Sequence, residues 1–194
     1  MKTSPLPALQ RVATVILSAG HGGGDPGAVN GPHREADQAI MIVDWMADML
    51  RRWQVPTHIV PHELGLSDGI DWNNARFIYG TTWALEIHRD SAEGLAMDDA
   101  SYRCGIYTGP SESSRAVGAF MRTAMIKHGA HSKSWCRPDT ESRHQRLAWI
   151  RQPKPLSHLL ELGFMEGDNS NGHLRRLAEI AAKSVAEAVG GTLP

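Results

Sequence analysis

The most constraining feature of the chain is a junction near its N terminus. Residues 12–18 are largely apolar and β-branched, with Val12, Val15, Ile16 and Leu17, as in a strand covered on both faces. They run straight into Gly20, His21, Gly22, Gly23, Gly24, Asp25, Pro26 and Gly27. A stretch that rich in glycine turns tightly or lets something approach the backbone closely. Beyond it, 34–53 carries two apolar stripes at helical spacing, Ala36, Ile40, Val43, Ala47 and Leu50 beside Ala39, Ile42, Met46, Met49 and Trp53. Asp37, Asp44, Asp48 and Arg51 fall on the opposite, solvated side. A buried strand, a glycine loop and an amphipathic helix in succession begin an α/β domain.

The remaining pattern continues that alternation. Strands are expected at 57–60, 83–88, 105–108 and 156–162, and helices at 71–79, 111–128 with Ser111 as cap, and 172–189. Residues 133–154 read as basic and irregular, and no internal repeat is present. The expected fold is a single α/β domain, a twisted, mainly parallel sheet flanked by helices on both faces. Its 194 residues suit one domain. Residues 1–10, with Pro5 and Pro7, read as a loose N-terminal lead, and 11–194 as the folded domain.

Charge excludes some partners. With 20 basic against 21 acidic residues, no global field draws the chain to nucleic acid or an anionic membrane. The longest apolar run falls far short of a bilayer span, and 1–10 lacks the apolar segment of a signal peptide. The chain as read is neither anchored nor self-exporting. Cys104 and Cys136 make no disulfide framework and no Cys-x-x-Cys pair.

Chemistry concentrates at the strand ends. His21 follows the first strand, His88 closes the strand at 83–88, and Glu161 lies near the end of 156–162. In sheets of this kind ligands sit at the carboxyl ends of strands. Glu35 opens the long helix on its apolar stripe, where a bare carboxylate is costly unless ionically satisfied. Two imidazoles and one carboxylate from separated elements match a ligand set of catalytic zinc sites, which leaves a fourth position for water. Glu161 is then available as a base. Each residue alone has an ordinary explanation: a first-turn Glu complements the helix dipole and a strand-end His is a polar rim residue. The glycine loop is no dinucleotide fingerprint and lacks the Lys and Ser/Thr of a P-loop.

The order of these motifs resembles that of the zinc-dependent N-acetylmuramoyl-L-alanine amidases of the Amidase 3 group, over nearly the whole chain after Gln10. Members open with a strand and a Gly-His-Gly-Gly-x-Asp-x-Gly loop, matched by the residues from Gly20 to Gly27. The resemblance implies that His21, Glu35 and His88 bind zinc and that Glu161, in Glu161-Leu162-Gly163-Phe164, is the catalytic residue. It also supplies the substrate, the amide joining N-acetylmuramic acid to L-alanine in peptidoglycan. The chain departs from the family at Ser18-Ala19, where Asp-Pro is common, and at Glu86, where Ser is common. The Asn-rich signature after the third ligand is reduced to Arg89-Asp90-Ser91. Strand alternation puts Glu86 on the face of His88, where it either supports the metal site or is a solvent-edge carboxylate.

Other clusters are weaker. His128, His131 and Cys136 lack a fourth metal ligand, and His33 lies on another side of the helix from Glu35. Lys133, Arg137, Arg143, Arg146, Arg151 and Lys154 form a basic segment that either meets peptide carboxylates of the cell wall or is a solvated loop. Trp135 and Trp149 suit stacking on sugar or packing. The expectation is a monomeric hydrolase acting on the cell wall outside the cytoplasmic membrane, as a phage-released endolysin or a mature secreted autolysin fragment. The rivals are a zinc peptidase acting on another cell-wall amide and an inactive peptidoglycan-binding or virion-associated protein.

Overall fold

The computed structural model describes residues 4–92 and 100–193. A central sheet of six strands has the order β4-β1-β5-β8-β6-β7, built from β1 (Thr14–Ala19), β4 (Thr57–Ile59), β5 (Thr82–Asp90), β6 (Cys104–Thr108), β7 (Trp135–Pro138) and β8 (Leu156–Phe164). The short strands β2 (Val29–Asn30) and β3 (His33–Arg34) form a separate antiparallel hairpin. β4, β1, β5 and β8 run parallel, whereas β6 is antiparallel to β8 and β7 follows β6. The helices are α1 (Glu35–Arg52), α2 (Leu66–Arg76), α3 (Glu112–Lys127), the short α4 (Ala148–Arg151) and α5 (Asn171–Val189).

Two faces of the sheet are covered unequally. Val15, Leu17, Trp83, Leu85, Ile87, Ile106, Leu160 and Leu162 pack under the apolar stripes of α1, α3 and α5 in the main core. Burying side chains of this size is worth roughly 1.5–3 kcal/mol each, so this face anchors the domain. On the other face Ile16, Ala84, Val60, Ile70 and Trp149 make a smaller cluster beneath α2 and α4. Strands buried on both faces require such continuous apolar runs, which is why β1 and β5 do not alternate polar with apolar along their length.

Local chemistry sets the helix ends. Ser111 Oγ accepts the Ser114 N–H at the start of α3, and Ser170 Oγ accepts the His173 N–H at the start of α5. α5 stops at Gly190, which takes the left-handed conformation with φ 74°. α1 has no side-chain cap. Its first residue, Glu35, points into the protein instead.

Three expectations change. Residues 1–3 lie outside the described residues, but the rest of the lead is docked: Leu9 is buried in the main core and Ser4 Oγ donates to the Ala188 carbonyl at 2.5 Å. The segment 133–154 contains β7 and α4, joined by a 3-10 turn at Asp139–Glu141 and tied by Arg151, whose guanidinium donates twice to the buried Asp139 carboxylate at 2.6 Å. α2 begins at Leu66, earlier than 71, because the chain turns into it at Gly65. Among the described residues no helix is long and apolar enough to cross a membrane.

Candidate metal centre

The carboxyl ends of β1 and β5 and the start of α1 converge. His21 stands two residues past β1 with φ 66°, a left-handed conformation uncommon for a side-chain-bearing residue. Its Nδ1 lies 2.8 Å from Asp25 Oδ2, while Asp25 Oδ1 accepts the Gly27 N–H at 3.0 Å. The glycine loop thus folds around one carboxylate, and that carboxylate aims the imidazole. Its other ring nitrogen, Nε2, is 3.0 Å from Glu35 Oε2.

Glu35 is the hub. Oε2 also accepts the Ala28 N–H at 2.9 Å, and Oε1 accepts the Arg89 N–H at 3.2 Å and lies 2.8 Å from His88 Nδ1. A carboxylate so thoroughly engaged resolves the cost of placing it on the apolar stripe. Two glycines make room for the cluster. A Cβ on Gly27 would fall 2.5 Å from the His21 ring and 2.7 Å from Glu35 Oε2, and one on Gly20 would fall 2.4 Å from the His88 ring.

His88 is gripped from both sides, by Glu35 at Nδ1 and by Glu86 Oε2 at 3.2 Å from Nε2. Its ring meets that of His21 edge-on, with centroids 4.9 Å apart. Glu161 stands beside it, since β5 and β8 pair His88 with Glu161 in register. The register then slips by one residue, Asp90 opposing Phe164, with Gly163 in the left-handed region at φ 70°. A bulge next to such a site re-aims the strand just after Glu161.

Electrostatics follow from this crowding. The hydrogen bond to Glu35 raises the His21 pKa, helped by Asp25 and opposed by burial. Burial disfavours charged His88, but Glu35, Glu86 and Glu161 outweigh it and hold its pKa well above the ordinary value. For Glu35 burial is likewise overcome, by His21 and His88, and its carboxyl stays far below the usual range. Glu161 goes the other way: burial, with Asp90, Glu35 and Glu86 nearby, pushes it up to about 8 against the pull of His88. Its Oε2 is buried without a hydrogen-bond partner. Asp90 is also raised, by burial first and by Glu35 and Glu166.

The four residues singled out from the sequence are therefore together, and Glu86 touches His88. Ligand atoms of His21, Glu35 and His88 lie within 4.8 Å of one another, the one such cluster among the described residues. Two imidazole nitrogens and a carboxylate oxygen at this spacing fit a divalent cation of the zinc type, with the unpartnered Glu161 oxygen nearby. His128 is instead paired with Glu187 at 2.9 Å, His33 lies in the β2–β3 hairpin, and Cys104 and Cys136 are free thiols. Sequence alone gives Asp25 no role. Its signal was the spacing of four from His21 in a segment of glycines.

The family model described as N-acetylmuramoyl-L-alanine amidase, Amidase 3, matches residues 15–190. No curated protein sequence matches. Among solved structures, the N-acetylmuramoyl-L-alanine amidase AmiC2 of Nostoc punctiforme superposes with a TM-score of 0.69 at 19% identity, over 90% of this chain and 95% of that one. The amidase Ami1 of Mycobacterium smegmatis gives 0.73 at 13% identity over 98% and 99%. The catalytic domain of the CD27L endolysin, which targets Clostridia difficile, gives 0.70 at 14% over 94% and 99%. With the family match spanning the sheet, its helices and every residue of the cluster, the chain belongs to the N-acetylmuramoyl-L-alanine amidase family, enzymes that hydrolyse an amide of peptidoglycan.

Proposed function

We propose that the chain hydrolyses the bond between N-acetylmuramic acid and L-alanine with one zinc ion held by His21, Glu35 and His88, and with Glu161 as the proton carrier. The observation that carries this reading is the placement of Glu161 beside His88 in register, with one buried oxygen free of any partner, at the edge of the only three-donor cluster among the described residues. When bound, zinc polarises the amide carbonyl and makes a water nucleophilic near neutral pH.

The side chains do the rest. Asp25 holds His21 at Nδ1 and Glu86 holds His88 at Nε2, which leaves His21 Nε2 and His88 Nδ1, the two nitrogens that face Glu35, as the ones that would hold the ion together with that carboxylate. Glu161 takes the proton of the attacking water at Oε2 and returns it to the departing alanine nitrogen, because an amide nitrogen leaves poorly as an anion. Residues 11–194 act as one catalytic unit in this reading.

Digestion of purified cell wall tests it. New alanine amino groups without new reducing sugar are expected. New amino groups on other residues would indicate a peptidase. The absence of any product, or of bound zinc in the purified protein, would indicate a wall-binding protein.

A further inference from the structure

The site's face of the sheet extends well beyond the four residues at its centre. Register pairs Glu86 with Leu159, Leu159 with Tyr107 and Tyr107 with Arg137, one row across four strands. The next row runs from His88 through Glu161 and Gly105 to Trp135. Side chains alternate along a strand, so Trp135 and Arg137 share a face with His88 and Glu161, while Ile87, Leu160 and Ile106 between them face the main core.

The centre of the second row is glycine, and its missing side chain is replaced from the neighbouring strand. A Cβ on Gly105 would lie 2.1 Å from Trp135 Cζ2, so the indole lies across β6 toward Glu161. Tyr107 meets this indole edge-on with centroids 4.7 Å apart, and the Arg137 guanidinium carbon sits 4.9 Å from the Trp135 ring centroid. Trp135 is buried, Tyr107 half-buried and Arg137 exposed. Arg151 is engaged by Asp139, and Arg176 by Glu179, but Arg137 has no ion-pair partner among the described residues. Its planar cation thus sits against an aromatic surface at an exposed position, close enough to Asp90 to draw that carboxyl's pKa down, a placement that suits two-pronged binding of a carboxylate.

Distance sets which carboxylate. β7 lies three strands from β5, roughly 14 Å at the usual strand spacing of about 4.8 Å. An extended peptide advances about 3.3–3.6 Å per residue, and the arginine side chain itself reaches several ångströms back, so the row is crossed in two to three residues.

We propose that Arg137, seated on Trp135, is the subsite for a free carboxylate on the second or third residue of the peptide released by cleavage. This rests on the amidase reading above. It makes the enzyme selective for acidic peptides over those in which that carboxylate is amidated.

Calorimetric titration with synthetic tripeptides tests it. L-alanyl-γ-D-glutamyl-L-lysine amide, whose only carboxylate is on residue two, is compared with its fully amidated form, and a second pair carries the only carboxylate on residue three. The wild type is expected to bind the acid of one pair about tenfold more tightly than the amide, as one charge-assisted contact supplies. Arg137→Ala should lose that preference without affecting the amidated peptide, and Arg137→Lys should retain only part of it. Equal affinity of the wild type for acid and amide in both pairs, no binding of any peptide, or undiminished preference in Arg137→Ala would overturn the proposal. Failure of the amidase reading shows elsewhere, as cell wall that yields no new alanine amino termini.

Discussion

At the scale of single residues, the centre works because each side chain is held by a second one. Glu161→Gln keeps shape and removes the titrating oxygen, so zinc content should be unchanged while hydrolysis falls by roughly 10²–10⁴-fold. A variant that loses both ion and activity would mean that Glu161 is part of the grip. Glu86→Ala leaves His88 Nε2 without its carboxylate, and the expected result is a metal affinity lower by about 10–100-fold in a competition titration with a chelating dye. Unchanged affinity would return Glu86 to the role of a solvent-edge carboxylate. Gly20→Ala forces a methyl into the His88 ring, so the variant should bind little metal while its far-ultraviolet circular dichroism matches the wild type. The convergence of His21, Glu35, His88 and Glu161 is legible in the sequence because motif order marks all four and strand ends mark His21, His88 and Glu161. Asp25's grip on His21 was not, since it depends on the left-handed turn at His21, which spacing alone does not reveal.

Among the elements, legibility followed length and burial. β1, α1, α3 and α5 were readable to within a residue or two because long apolar stripes specify them. β7 was hidden: four residues at the sheet edge, ending in proline, carry no alternating pattern and need no N–H on the open side. The reversal of β6 relative to β8 has no local signature either, because it is decided by how the chain crosses the sheet. One polar device does join elements. His158, fully buried in β8, accepts from Trp83 Nε1 of β5 at 3.0 Å on Nδ1, and its Nε2 donates to the Ser114 carbonyl of α3, also at 3.0 Å. Burial pushes its pKa down to about 4 from an ordinary 6.5. Between those values the unfolded chain binds the proton and the folded chain does not, so stability falls as the pH drops through that window, by about 3 kcal/mol in all. In urea titrations, the stability advantage of wild type over His158→Gln should shrink from pH 7 to pH 4.5. An advantage that stays constant with pH would show that His158 is not held neutral.

For the whole molecule, the centre is also a point of attachment. Its donors come from the loop after β1, the first residue of α1 and the end of β5, which are distant in sequence and adjacent only when the sheet and α1 have docked. An ion held by all three binds the folded chain and has no comparable site in the unfolded one. Linkage then raises stability by about 4 kcal/mol when free metal exceeds its dissociation constant by roughly 1,000-fold. In a domain of this size each kcal/mol moves the melting temperature by about 2–4 °C. Stripping the metal with a chelator should therefore lower Tm by about 10 °C, and stoichiometric zinc should restore it. Glu161→Gln should melt with the same metal-dependent difference, because Glu161 is not among the holders, whereas His21→Ala should melt near the stripped wild type whether or not zinc is added. If stripping removes one zinc per chain and Tm does not move, the ion is not held by elements that fold together, and the cluster of His21, Glu35 and His88 is not its seat.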